Sequence, residues 1–123
     1  GLVPATIAPY VVRAIGERAA RRYFQTAERF DAGTALTLGL LSDVVYEHAI
    51  DTRIDDLAGQ LLANGPAALA AAKALALSVS GRAIDETVLS ETSDLIARVR
   101  VSDEGQEGLT AFLEKRKPAW TSS

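Results

Sequence analysis

Residues that start and stop helices recur at short intervals along this chain, and they leave room for little except helices. Gly16, Gly39 and Gly81 follow apolar stretches where a left-handed residue can close a helix, while Asp31 and Ser102 stand before such stretches as N-caps. Pro9 and Pro66 occupy first turns, where the missing N–H does no harm. The spacing predicts helices over 7–15 and 17–26, separated by Gly16, and a short one over 32–38 closed by Gly39. Ile50, Ile54, Leu57, Leu61 and Leu62 fall on one stripe of a helix that ends near Asn64-Gly65. An Ala-rich helix over 66–80 has side chains small enough for close helix contacts. Val88, Leu89, Thr92, Leu95, Ile96 and Val99 then make a further stripe after Asp85. The one β-branched and aromatic run is Asp43-Val44-Val45-Tyr46, so at most one short strand is expected near 43–46, with its partner strand outside this chain. These elements define an all-α fold and a single helical domain over 1–123, with 118–123 as a flexible tail.

With 123 residues and 48% apolar side chains, the chain is long enough for one domain burying roughly 65% of the surface that its unfolded form exposes. A net charge of −3 gives no overall field for nucleic acid or an anionic membrane, so any anion site must be local. The absence of cysteine removes disulfides and thiolate metal sites and fits a reducing, cytoplasmic setting. A single histidine, His48, removes every two-histidine zinc pattern, and no serine or aspartate has a spacing to it that implies a triad. His48 is therefore read as a surface or loop residue, and no metal ligand set is assigned. Arg13, Arg18, Arg21 and Arg22 cluster, yet Glu17 and Glu28 are close in sequence and no aromatics interleave, which points to a solvated or inter-subunit ion-pair face.

The segment 102–118 carries the most chemistry. Ser102 caps it, Asp103 and Glu104 complement the helix dipole at its start, and Lys115, Arg116 and Lys117 do so at its end. Leu109, Phe112 and Leu113 share one face, and helical spacing sets Phe112 beside Lys115. An aromatic face next to an ammonium can hold a planar ring and a phosphate. The same residues equally suit a docking stripe ending in a dipole-complementing lysine.

The ending Gly108-Leu109-Thr110-Ala111-Phe112-Leu113-Glu114-Lys115-Arg116-Lys117-Pro118 resembles the C-terminus of the enoyl-CoA hydratase/isomerase (crotonase) family. Thr26-Ala27-Glu28-Arg29-Phe30-Asp31-Ala32 through Gly39-Leu40-Leu41-Ser42-Asp43-Val44-Val45 is similar to a second family segment, and Gly1-Leu2-Val3-Pro4 to the stretch just after its second catalytic glutamate. The resemblance covers nearly the whole chain but only the last part of the family's usual length. The start at Gly1 and the lack of methionine fit a C-terminal portion whose N-terminal spiral domain lies elsewhere. Neither a signal peptide nor a membrane span is expected from the hydropathy pattern.

The resemblance implies reversible addition of water to a 2-enoyl-CoA thioester in fatty-acid or branched-chain acyl-CoA catabolism. Two glutamates act as base and acid, and two backbone N–H groups stabilise the thioester enolate oxygen. It places none of those catalytic groups in this chain, which would be inactive alone. It matches Phe112 and Lys115 to positions that approach the adenine and 3′-phosphate of CoA, commonly that of a neighbouring subunit. Pro4 and Ala5 would line the substrate. No tightly bound cofactor is implied, since coenzyme A is part of the substrate, and the partners implied are acyl-CoA and further copies of the chain, as a trimer or dimer of trimers, with no nucleic acid or membrane. Where many members carry a Gly-rich run, this chain has Ala5, Thr6, Ile7 and Pro9, which looks closest to the branch acting on 3-methylglutaconyl-CoA or carboxygeranoyl-CoA. An isomerase of the same family, and a non-enzymatic helical dimerisation module, are the alternatives.

Overall fold

The computed structural model describes residues 1–121, which form six α-helices and two 3₁₀ turns. The all-α class is as expected, and the chain comprises two compact units, Gly1–Ile50 and Asp51–Ser123.

In the first unit, helix α1 (Ala8–Thr26) is interrupted at Gly16, whose φ of 77° and ψ of 157° break it into the two pieces that the sequence predicts. Ala20 is the buried residue of its second piece. Tyr23 and Phe30, with ring centroids 4.6 Å apart, fold the following loop back on the helix. Helix α2 (Ala32–Thr37) starts where Thr34 N–H donates to the Asp31 carboxylate at 2.8 Å, and Gly39, at φ 80°, follows its end. A Cβ on Gly39 would lie 3.4 Å from the Ala14 carbonyl oxygen, so both conformation and space favour glycine there. Residues 43–46 form no strand, and no strand occurs among the described residues. Without a neighbouring strand their backbone groups have no ladder to join, and β propensity alone does not make one. They lead instead into a 3₁₀ turn at Glu47–Ala49, where exposed His48 stacks on Tyr46.

The second unit holds α3 (Ile50–Leu62) from its second residue on, α4 (Pro66–Val79), α5 (Glu86–Val101), α6 (Asp103–Leu113) and a 3₁₀ turn at Ala119–Thr121. Asp85 caps α5 through the Val88 N–H at 2.9 Å. Ser102 joins α5 to α6 with one hydroxyl, accepting from Gly105 N–H at 3.1 Å and donating to the Val99 carbonyl at 2.7 Å. A Cβ on Gly105 would meet that carbonyl oxygen at 2.1 Å, so only glycine permits so tight a corner. Helix α4 has no side-chain cap of its own, because Gly65 stands at that position. Glu104 of α6 supplies the cap instead: its carboxylate accepts from Ala67 N–H at 3.0 Å and Ala68 N–H at 2.8 Å.

In the stretch 118–121, Trp120 donates its indole N–H to the Ala63 carbonyl at 3.2 Å and lays its ring 3.1 Å from the space that a Gly108 Cβ would occupy. Residues 122 and 123 lie outside the described residues. The core is also far smaller than the composition suggests, with only Ala20, Ala35, Val88 and Ala111 buried among the apolar side chains described. An accessible surface of 10141 Å² against roughly 18,900 Å² for the unfolded chain means that under half is removed from water. No single helix among the described residues is long and apolar enough to cross a membrane.

Gly105→Ala is expected to lower the stability of the second unit by at least about 2 kcal/mol, since a backbone oxygen must move. Glu104→Ala, which uncaps α4, should cost about 1–2 kcal/mol. Urea unfolding followed by Trp120 fluorescence checks both.

Candidate functional site

Helix α6 ends earlier than its sequence suggests. The last helical residue is Leu113, and Arg116 N–H reaches back to the Ala111 carbonyl at 3.0 Å while Lys115 N–H bonds the Phe112 carbonyl at 3.2 Å. This reverse pair is a Schellman ending, and it places Lys115 at the left-handed position, with φ 54°. Phe112 and Lys115 are therefore neighbours through a helix-ending turn and not through helical i, i+3 spacing. The basic run lies beyond the last turn instead of inside it.

A carboxylate and guanidinium clamp holds that turn. Arg116 meets Glu107 with two parallel contacts, Nη1 to Oε1 at 2.6 Å and Nη2 to Oε2 at 2.9 Å, and its Nε reaches Glu114 at 2.7 Å. Ala119 N–H adds a bond to Glu107 Oε1 at 2.8 Å. Arg116, and then the Ala119 N–H, hold the Glu107 carboxyl down at about 2, while Glu107 first and Glu114 second raise the Arg116 guanidinium further above its ordinary value. Lys115 and Lys117, by contrast, have no side-chain hydrogen bond or ion pair among the described residues. Phe112 is 81% exposed and Leu113 77%, so an aromatic ring and two free ammonium groups stand in solvent around one turn. Lys117, Pro118 and Trp120 also border an open cleft of about 530 Å³ against Gly59 and Leu62 of α3 and Ala63 just after it.

Pro4 and Ala5 belong to the first unit. Pro4, half-buried, lines an open, largely apolar cleft of about 410 Å³ with Leu2, Ile7, Val11, Phe30 and the charged Glu28, whereas Ala5 is exposed and does not line it. The arginine cluster is partly spoken for. Arg21 pairs with Glu17, and Arg22 takes both oxygens of Glu28 at 2.9 Å while lying 5.5 Å over the Tyr23 ring. Among the described residues no three His, Asp or Glu side chains converge as a metal site. The clamp residues Glu107 and Arg116, nine apart across a helix end, follow no short-range spacing rule, and the sequence suggests for Arg116 only a dipole-complementing role.

The described residues thus form capped helices with a small apolar interior, and a Schellman turn that carries an exposed aromatic ring and two unpaired lysines. The chain belongs to the enoyl-CoA hydratase/isomerase family, which it matches over residues 1–123. It is 31% identical over 110 residues to the crotonyl-CoA hydratase of Syntrophomonas wolfei, covering 89% of this chain and 42% of that protein. Among solved structures, an enoyl-CoA hydratase from Shewanella pealeana is 51% identical with a TM-score of 0.86, over 98% of this chain and 44% of that one. AtuE of Pseudomonas aeruginosa is 41% identical with a TM-score of 0.87, over 99% and 47%. The chain thus spans a little under half the length of these relatives.

Because folding lowers the Glu107 pKa, the clamp contributes fully above the ordinary value of 4.5, weakens as pH falls below it and is lost once pH passes about 2. Acid titration should show a Trp120 emission change in that window, and Glu107→Gln should abolish it. An unchanged titration in Glu107→Gln would rule out the clamp as its source.

Proposed function

We propose that this chain is the coenzyme-gripping and oligomer-forming portion of an enoyl-CoA hydratase, which adds water reversibly across the double bond of a 2-enoyl-CoA. The observation that carries this reading is the end of α6, where the exposed Phe112 ring and the unpaired Lys115 ammonium stand on one turn in a chain of this family. Phe112 would pack on the adenine and Lys115 would meet the 3′-phosphate. Several carboxylates in the chain have structural partners: Glu28, Glu91 and Glu107 pair with arginines and Glu104 caps α4. That pattern supports a binding and assembly role for these residues, with the base and acid supplied from elsewhere. The run Ala5, Thr6, Ile7 and Pro9 is what supports a substrate of the kind represented by 3-methylglutaconyl-CoA or carboxygeranoyl-CoA.

Surface area supports self-association. Two separate compact bodies of these sizes would expose roughly 7,600 Å² together, yet the chain exposes 10141 Å². The excess is larger than the roughly 800 Å² per partner that a standard interface needs. Leu77, Ile96, Leu113 and Leu62 are among the apolar side chains that remain exposed.

Calorimetry with CoA tests the grip: Lys115→Ala and Phe112→Ala should each weaken binding about tenfold without unfolding the chain. No CoA binding by the wild-type chain, or indifference to both substitutions, would favour a purely structural helical module. Light scattering should give a multiple of 13.0 kDa, and a strict monomer would count against the assembly role.

A further inference from the structure

We propose that Glu107 and Arg116 are positioning residues that hold Lys115 in its left-handed turn, so that its ammonium is presented to the 3′-phosphate of CoA. This rests on the coenzyme reading above and adds to it the parts that fix the lysine in place. Five described residues have positive φ. Three are glycines, Gly16, Gly39 and Gly81, and the other two are Ala27 and Lys115. Glycine adopts this conformation freely, while a long L side chain is strained in it. Such strain persists only where the surroundings over-determine the backbone.

Both sequence neighbours of Lys115 are tied to one guanidinium. Glu114 accepts from Arg116 Nε at 2.7 Å, and Arg116 itself forks onto Glu107, one α6 turn before the Ala111 carbonyl that its N–H also bonds. Glu107 in turn receives the Ala119 N–H, which fixes the chain on the far side of the turn. Lys115 alone in this segment from 114 to 116 contributes nothing to the network. The charges sort accordingly: Arg116 is shared by two carboxylates, and Lys115 and Lys117 keep theirs for an external anion. A planar fork is what this arrangement requires, since a lysine at 116 could not hold Glu107 with two parallel bonds and Glu114 with a third.

The test compares affinity for CoA with affinity for dephospho-CoA, which lacks only the 3′-phosphate, in wild type, Glu107→Gln, Arg116→Lys and Lys115→Gly. Wild type should prefer CoA by about tenfold. Glu107→Gln and Arg116→Lys should reduce that preference to within about threefold while leaving dephospho-CoA affinity unchanged. Lys115→Gly should erase the preference and raise the thermal midpoint by about 4 °C, because the strained position is relieved. A retained preference in Glu107→Gln and Arg116→Lys, or an equal loss for both ligands, overturns the positioning role and leaves the coenzyme reading standing. A wild-type chain that binds neither ligand, or binds both alike, removes the coenzyme reading and this inference together. Circular dichroism reports whether Glu107→Gln is folded, and if it is not, Arg116→Lys decides.

Discussion

Apolar surface in excess of what the chain can enclose is the constraint from which the rest of this structure follows. Helix α5 shows it residue by residue: Val88 is buried and Leu95 and Val99 are half-buried, yet Leu89, Ile96 and Val101 stand 54%, 63% and 74% exposed. Stripes wider than the available neighbours are a sign of helices built to be covered from more than one side. The four buried apolar side chains include three alanines, so what interior exists comes from close backbone approach and not from large side chains. Close approach in turn explains the glycines. Gly65, Gly105 and Gly108 each face an atom that a methyl group would strike or crowd, and together they let α4, α5, α6 and the Trp120 turn meet within the second unit.

Features that depend on a few consecutive residues were legible in the sequence. The caps at Asp31 and Ser102, the break at Gly16, the stop at Gly39 and the proline start of α4 are all local exchanges between a side chain or a φ angle and the nearest turn, and the structure has each of them. The exact end of α6 was not legible: Pro118 limits the helix from beyond, but Glu114, Lys115, Arg116 and Lys117 all have good helix propensity and do not say which of them turns. It is the bonds from Arg116 to Glu107 and from Ala119 to Glu107, reaching nine and twelve residues back, that favour turning there. The Trp120 turn escaped notice for the same reason, since its partners are Ala63 and Gly108. Residues 43–46 show the converse. Their composition is right for a strand, and the deciding factor, a second strand, is not a property of the segment at all.

Phe112 and Lys115 are candidates through family resemblance, and the structure changes the reason they are close. Helical spacing would have set both side chains on one face. The Schellman ending instead couples them through the backbone, by the Lys115 N–H to Phe112 carbonyl bond, and leaves the lysine side chain outside the helix. This matters for an anion site. A lysine in a last helical turn would spend part of its field on the carbonyl ends of the helix, whereas one beyond the turn, with no carboxylate partner, keeps its charge for a ligand.

The division of labour between arginine and lysine at this turn follows from the same chemistry. Guanidinium is planar and offers its N–H groups in a fixed fork, so it suits a contact whose purpose is to fix geometry; an ammonium is a compact, rotating point charge, suited to meeting a phosphate whose orientation varies. Exchanging the two would place the flexible group in the clamp and the rigid one in solvent. The cost of the actual arrangement is a non-glycine residue at positive φ, roughly 1–2 kcal/mol of backbone strain. In a chain with so small an interior, strain of that size is a real fraction of total stability. Glycine takes the left-handed position after α2 and α4, whereas α1 ends on Ala27 and α6 on Lys115, and of these two only Lys115 stands between residues held by a carboxylate and guanidinium clamp.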